Sequence, residues 1–189
     1  MRMCLRTAGG FTLIEVLVAV LVLAIGVISA AGAQLSALRT RHGSALMSEG
    51  VQLASSLADR MRANPAQMRL GADANPYLQW RYDAASGAPT APPLLCYVAG
   101  NCSSEQMAHF DLYDIALALH FGFPGGRVAV CRDAALWDAQ RRALSWDCAG
   151  GAAAPVVIKL GWRARRADGR PATEGDAPAV AIVVSEVGR

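Results

Sequence analysis

At 189 residues the chain is long enough for one domain of ordinary size, or a small domain with an appended segment. Hydrophobic residues make up 53% and charged residues 17%, and the excess is concentrated between Phe11 and Leu38, where 21 of 28 residues are apolar. No second window approaches the roughly 20 apolar residues of a bilayer-spanning helix, which excludes a polytopic membrane protein, and recurring Trp, Tyr, Val, Ile and Leu exclude a long disordered chain.

The net charge of +3 is small, and its one basic cluster is Arg163-Ala164-Arg165-Arg166, so no nucleic-acid partner is expected. Phe11 to Ala33 spans 23 residues with a single ionisable group, Glu15. As a helix it would be roughly 34 Å long, sufficient to cross a hydrocarbon core of about 30 Å. Arg2 and Arg6 precede it with no acid to offset them, which leaves the N-terminus cytoplasmic and sends the rest across. The bland alternative is a cleaved export signal ending at Ala31-Gly32-Ala33. Against it stand an apolar run longer than the roughly 7 to 15 residues of a signal core and the carboxylate near its start, which a simple export signal does not need.

Gly10-Phe11-Thr12-Leu13-Ile14-Glu15-Val16-Leu17-Val18-Ala19 resembles the processing and methylation motif of type IV pilins and type II secretion pseudopilins. The resemblance implies a leader, residues 1–10, removed after Gly10 by a prepilin peptidase that also methylates the amine of Phe11. It implies a further role for Glu15, whose carboxylate would meet the Phe11 ammonium of a neighbouring subunit in a filament. Each charge is costly in an apolar medium, and the two would neutralise one another there.

Beyond the apolar segment, residues 34–64 contain no Pro and place Leu46, Leu53, Leu57 and Met61 on one stripe. Arg39, Arg41, Glu49, Asp59 and Arg60 then face elsewhere, and Asn64-Pro65 closes the helix. The expectation is one helix of about 50 residues, membrane-embedded over 11–33 and amphipathic over 34–64. A globular head occupies 65–189. Its residues 66–102 read as irregular, punctuated by Asn75-Pro76, Ser86-Gly87, Pro92-Pro93 and Gly100-Asn101. Ser103 with Gln106 forms a capping box opening a second helix to about Phe121. Strands are expected over 127–131, 143–148, 155–163 and 179–187. In the third, Ile158, Leu160 and Trp162 alternate with Lys159, Gly161 and Arg163, a half-buried pattern. The fold class that follows is α+β, a long N-terminal helix packed on a small antiparallel sheet.

Of the five Cys, Cys4 belongs to the leader; Cys96, Cys102, Cys131 and Cys148 remain in a region delivered to an oxidising compartment, so disulfides are expected. Three pairings are possible. Cys96 with Cys102 closes a small loop and Cys131 with Cys148 ties two adjacent strands, whereas crossing pairs would have to span the second helix. The close-spaced thiolate pairs of a structural zinc site are absent from the sequence, and no metal or cofactor is expected. His42, His109 and His120 read as solvated or capping side chains. Asp111 and Asp114 read as a solvated helical face, and the four Trp as core or interface. No serine lies in a Gly-x-Ser-x-Gly context and no glycine pair ends in Gly-Lys-Ser/Thr, so an enzyme is not expected.

Two further stretches narrow the resemblance. Asp59-Arg60-Met61-Arg62-Ala63-Asn64-Pro65 is similar to a segment of the type IV pilus modification protein PilV family. So is Cys96 through Gly100-Asn101-Cys102-Ser103 to Gln106-Met107-Ala108-His109-Phe110-Asp111-Leu112, which departs from that family at Ile115, where an aromatic would be expected. The resemblance implies a minor pilin, held in the inner membrane with its head in the periplasm before entering a surface pilus. Its implied partners are other major and minor pilins, the prepilin peptidase and methyltransferase, and the inner-membrane pilus assembly machinery. Competing readings are a minor pseudopilin of a type II secretion system and, more distantly, an exported soluble binding or redox domain.

Overall fold

A computed structural model describes residues 10, 12–78, 80–97, 101–163 and 177–185. The remainder of the leader, Phe11, Arg165, Arg166 and the last two residues of the expected fourth strand lie outside the described residues. The chain divides into two compact units, Met1–His42 and Gly43–Arg189, each taken by itself below. The first helix, α1, covers Leu13–Ala63.

Within the second unit, α1 buries Leu46, Gly50, Ala54, Leu57, Ala58 and Met61, a helical stripe of three large and three small residues. Leu53, expected to be central to that stripe, is only partly buried. Asn64-Pro65 stops the helix as expected, and Pro65 at once opens the short helix α2 (Pro65–Met68), where its fixed φ and missing N–H are tolerated. The second long helix, α3, covers Ser104–Gly122 with the capping box complete. The Ser103 side chain accepts from the Gln106 N–H at 3.2 Å, and Gln106 Oε1 accepts from the Ser103 N–H at 2.9 Å.

The main sheet is antiparallel, in the order β1 (Arg81–Asp83), β2 (Arg127–Arg132), β5 (Val156–Gly161), β6 (Val180–Ser185). Val130 opposes Ile158, and Ile158 opposes Ile182. A two-stranded ladder, β3 (Trp137–Asp138) with β4 (Ala143–Leu144), stands apart from that sheet. One face of the main sheet contributes Val128, Val130, Val156, Ile158, Leu160, Val180 and Val184 to a single core, shared with the α1 stripe and with Ala108, Leu112, Ile115 and Leu119 of α3. This is the α+β arrangement of helix on antiparallel sheet that the hydrophobic pattern called for.

Four local expectations are corrected. The 66–102 stretch is not wholly irregular, because Arg81–Asp83 pairs with β2 as an edge strand. The strand expected over 143–148 is confined to Ala143–Leu144 and pairs with β3 rather than with the main sheet. The half-buried pattern of β5 does not hold: all six of its residues are buried, Lys159 completely. The segment after β2 folds over the face that was expected to meet solvent. Finally, Asp111 is buried at 4% exposure, so Asp111 and Asp114 do not form a merely solvated face.

Candidate functional site

The first unit carries the motif residues. α1 begins where Thr12 C=O accepts from the N–H groups of Glu15 (3.1 Å) and Val16 (3.3 Å). Glu15 therefore occupies the first turn, where unpaired backbone N–H groups and the helix dipole favour an anion. Among the described residues no cation pairs with it. Gly10 is exposed, and Phe11 lies outside the described residues. From Leu13 to Ile28 every large apolar side chain is exposed, with Leu13 at 80% and Ile28 at 72%. A helix apolar on all sides and covered on none has the pattern of a membrane span or of a helix packed among other chains. Its one polar side chain between Val16 and Gly32 is neutralised locally, Ser29 Oγ donating to Ile25 C=O at 2.8 Å. Thr40 repeats the device further along, donating to Ser36 C=O at 3.1 Å. The helix is long and apolar enough to cross a membrane; Leu13 to Ala33 alone measures about 32 Å.

The second unit fastens its elements with charges that sequence reading missed. Arg60, expected to face away from the core, reaches α3: its guanidinium donates to Asp111 Oδ1 at 3.2 Å and to Asp114 Oδ2 at 2.6 Å. Tyr77 donates to Asp111 Oδ2 at 2.6 Å, and Asn64 Nδ2 donates to Ser104 C=O at 2.7 Å and to the Tyr77 hydroxyl at 3.3 Å. Burial, reinforced by the neighbouring Asp111 carboxylate, pushes the Tyr77 hydroxyl far above its ordinary range, so it serves as a permanent donor. Burial alone would lower Arg60, but the two carboxylates outweigh it and raise it. Tyr97, beside Cys96, donates to Asp114 Oδ1 at 3.1 Å and sets its ring edge-on against Phe110. The end of α1, the start of α3 and the Cys96 loop are thus tied by one polar network. The spacing Asp111-x-x-Asp114 was the visible signal for it, without an indication of its partner.

A second device holds the opposite face of the sheet. Lys159 is completely buried, and so is the Asp133 side chain, with Nζ and Oδ2 2.5 Å apart. Lys159 Nζ also donates to Ser145 C=O at 2.7 Å and to Asp147 C=O at 2.5 Å, so the ammonium meets two carbonyls besides the carboxylate. Asp133 Oδ1 accepts from the N–H groups of Ala135 (2.9 Å) and Ala149 (3.2 Å). Burial pushes the Asp133 carboxyl up, but Lys159 and these N–H groups outweigh it and hold it below the usual carboxylate range. One ion pair therefore staples the 133–149 segment to β5.

The disulfides join Cys96 to Cys102 and Cys131 to Cys148. The first closes the small loop as expected. The second runs from β2 to the segment beyond β4, not between two adjacent strands, and so reinforces the Lys159 staple. His42 and His109 are exposed, while His120 Nδ1 sits 2.8 Å from the Tyr82 hydroxyl. Trp80 and Trp162 pack against the core, whereas Trp137 is 60% exposed. Among the described residues no group of three potential metal ligands occurs.

Residues 5–31 match the family model described as the prokaryotic N-terminal methylation motif, and residues 32–113 match the model described as type IV pilin Tt1218. The two matches run consecutively from the motif through both halves of α1 to the middle of α3. No curated protein and no solved structure matches the chain.

Proposed function

The chain is a type IV pilin-like protein, and from that premise we propose that it is a minor pilin of the PilV type, a structural subunit in type IV pilus assembly. Leader residues 1–10 are removed after Gly10, and the new amine of Phe11 is methylated. Residues 11–33 then hold the protein in the inner membrane, with residues 34–64 and the head, 65–189, on the periplasmic side. On assembly the apolar helix leaves lipid and enters the filament core among the helices of other pilins.

The observation that carries this reading is the coincidence of a fully uncovered apolar helix with one carboxylate in its first turn. A carboxylate at the centre of a bilayer costs roughly 2.5–3.5 kcal/mol, and less near the edge. Meeting the Phe11 ammonium of a neighbouring subunit removes that cost and sets axial register. The protein acts by packing, not by catalysis.

Intact-mass and N-terminal peptide analysis of the protein purified from its own membranes tests the processing step. The expected product starts at Phe11 and carries one added methyl group. A chain starting at Gln34 overturns the reading in favour of an exported soluble domain. Co-purification with a type II secretion pseudopilus, rather than with sheared pili, transfers the protein to that machine.

A further inference from the structure

We infer that the cleft between α3, β1 and the segment 89–94 is a binding site for a neutral carbohydrate, a role additional to packing in a filament. The cleft encloses about 580 Å³, within the range of small-molecule sites. Three aromatic side chains line it: Trp80, Tyr82 and Tyr113. Two of them are fixed from behind, since Trp80 and Tyr82 pack against the core. The Tyr82 hydroxyl is also held, donating to Gly87 C=O at 2.9 Å and lying 2.8 Å from His120 Nδ1.

The opposing wall is one stripe of α3 that brings Glu105, Gln106 and His109 to the cleft. Among the described residues the Glu105 carboxylate, the His109 ring, the Gln106 amide N–H₂, the Tyr113 hydroxyl and the Trp80 indole N–H have no hydrogen-bond partner. The cleft therefore offers unspent donors and acceptors beside aromatic faces. A sugar ring has this dual character, with hydroxyls at its rim and C–H groups on its face to meet the electron-rich ring faces.

Charge narrows the class. Among the described residues no Lys or Arg lines the cleft, and Glu105 is the one acidic residue there. An anionic ligand such as a phosphate or a sialylated sugar would meet repulsion and no cation. Rigidity supports binding as well. Pro89, Pro92 and Pro93 stiffen the third wall, the Cys96–Cys102 disulfide follows that wall, and the complete capping box fixes the start of α3.

The test uses the full chain in lipid nanodiscs, so that no glycosidic detergent competes. A printed array of neutral oligosaccharides built from hexoses and N-acetylhexosamines is followed by calorimetric titration of any hit. At least one neutral oligosaccharide is expected to bind, and its sialylated counterpart to bind more weakly. Tyr113→Ala and His109→Ala, both at partly or fully exposed positions, are each expected to weaken binding about tenfold with an unchanged unfolding midpoint. A chain that retains no neutral glycan overturns the inference. Binding that both variants leave intact places the sugar elsewhere and overturns the site, and preferential capture of a cationic proline-rich peptide overturns the ligand class.

Discussion

Replacing Lys159 by Met removes one charge from a site where both partners are inaccessible to water. The Asp133 carboxylate would then keep the N–H groups of Ala135 and Ala149 but lose its cation, and the carbonyls of Ser145 and Asp147 would lose their donor. Breaking a buried pair from one side costs about 3–5 kcal/mol. For a unit of this size, at about 2–4 °C per kcal/mol, the midpoint should fall by roughly 10 °C. The double variant Lys159→Met, Asp133→Leu removes both charges and should recover most of that loss, because a well-packed apolar pair is often no worse than a buried ion pair. The assay is thermal unfolding of the full chain followed by near-ultraviolet circular dichroism with disulfides intact. The same pair sets an acid limit. The folded Asp133 pKa lies below its unfolded value of about 3.9, so its stabilisation is complete above that value and is lost as pH falls through the lower folded value. Lys159→Met should shrink the loss of stability as the pH falls below about 4. A single variant as stable as the parent, or a double variant no better than the single, would refute the argument that this pair staples the 133–149 segment.

Arg60→Ala should cost about 2–3 kcal/mol by leaving the buried Asp111 without its cation. Arg60→Lys should restore only part of this, since one ammonium cannot bridge Asp111 and Asp114 as the guanidinium fork does; chemical unfolding of both variants separates them. Gly50→Ala should destabilise the protein although alanine is the better helix former. A Cβ there would stand 2.6 Å from the Trp162 ring, which Phe123 backs at 5.2 Å between centroids, and the overpacking costs about 1–3 kcal/mol. An unchanged or raised unfolding midpoint would show that the ring yields.

What the sequence disclosed was mostly local. The motif from Gly10 to Ala19, the Pro-free run ending at Asn64-Pro65, and Ser103 with Gln106 each lie within a few residues, and the structure places α1 and the α3 cap on them. The fold class followed from the same patterns. What stayed hidden depends on partners distant in sequence. The alternation of β5 announced a wet face at Lys159, yet that face is covered by a segment that begins with Asp133, 26 residues earlier, and no periodicity within β5 could report it. Arg60 looked like one charge among several on a helix surface because its partners are 51 and 54 residues away. Three residues of β1 between short irregular turns carry too little pattern to show as a strand; they pair because β2 presents an edge. The aromatic cleft was equally invisible, since Trp80, Tyr82 and Tyr113 meet only after α3 has folded back on the 80–94 stretch.

The Glu15 carboxylate becomes useful when chains assemble. Its most direct test is a Glu15→Ala variant expressed in pilus-forming cells, with the protein quantified in membranes and in sheared filaments. The expected result is normal membrane insertion and head disulfides, with sharply reduced recovery in filaments. Recovery in filaments equal to that of the parent chain would contradict it.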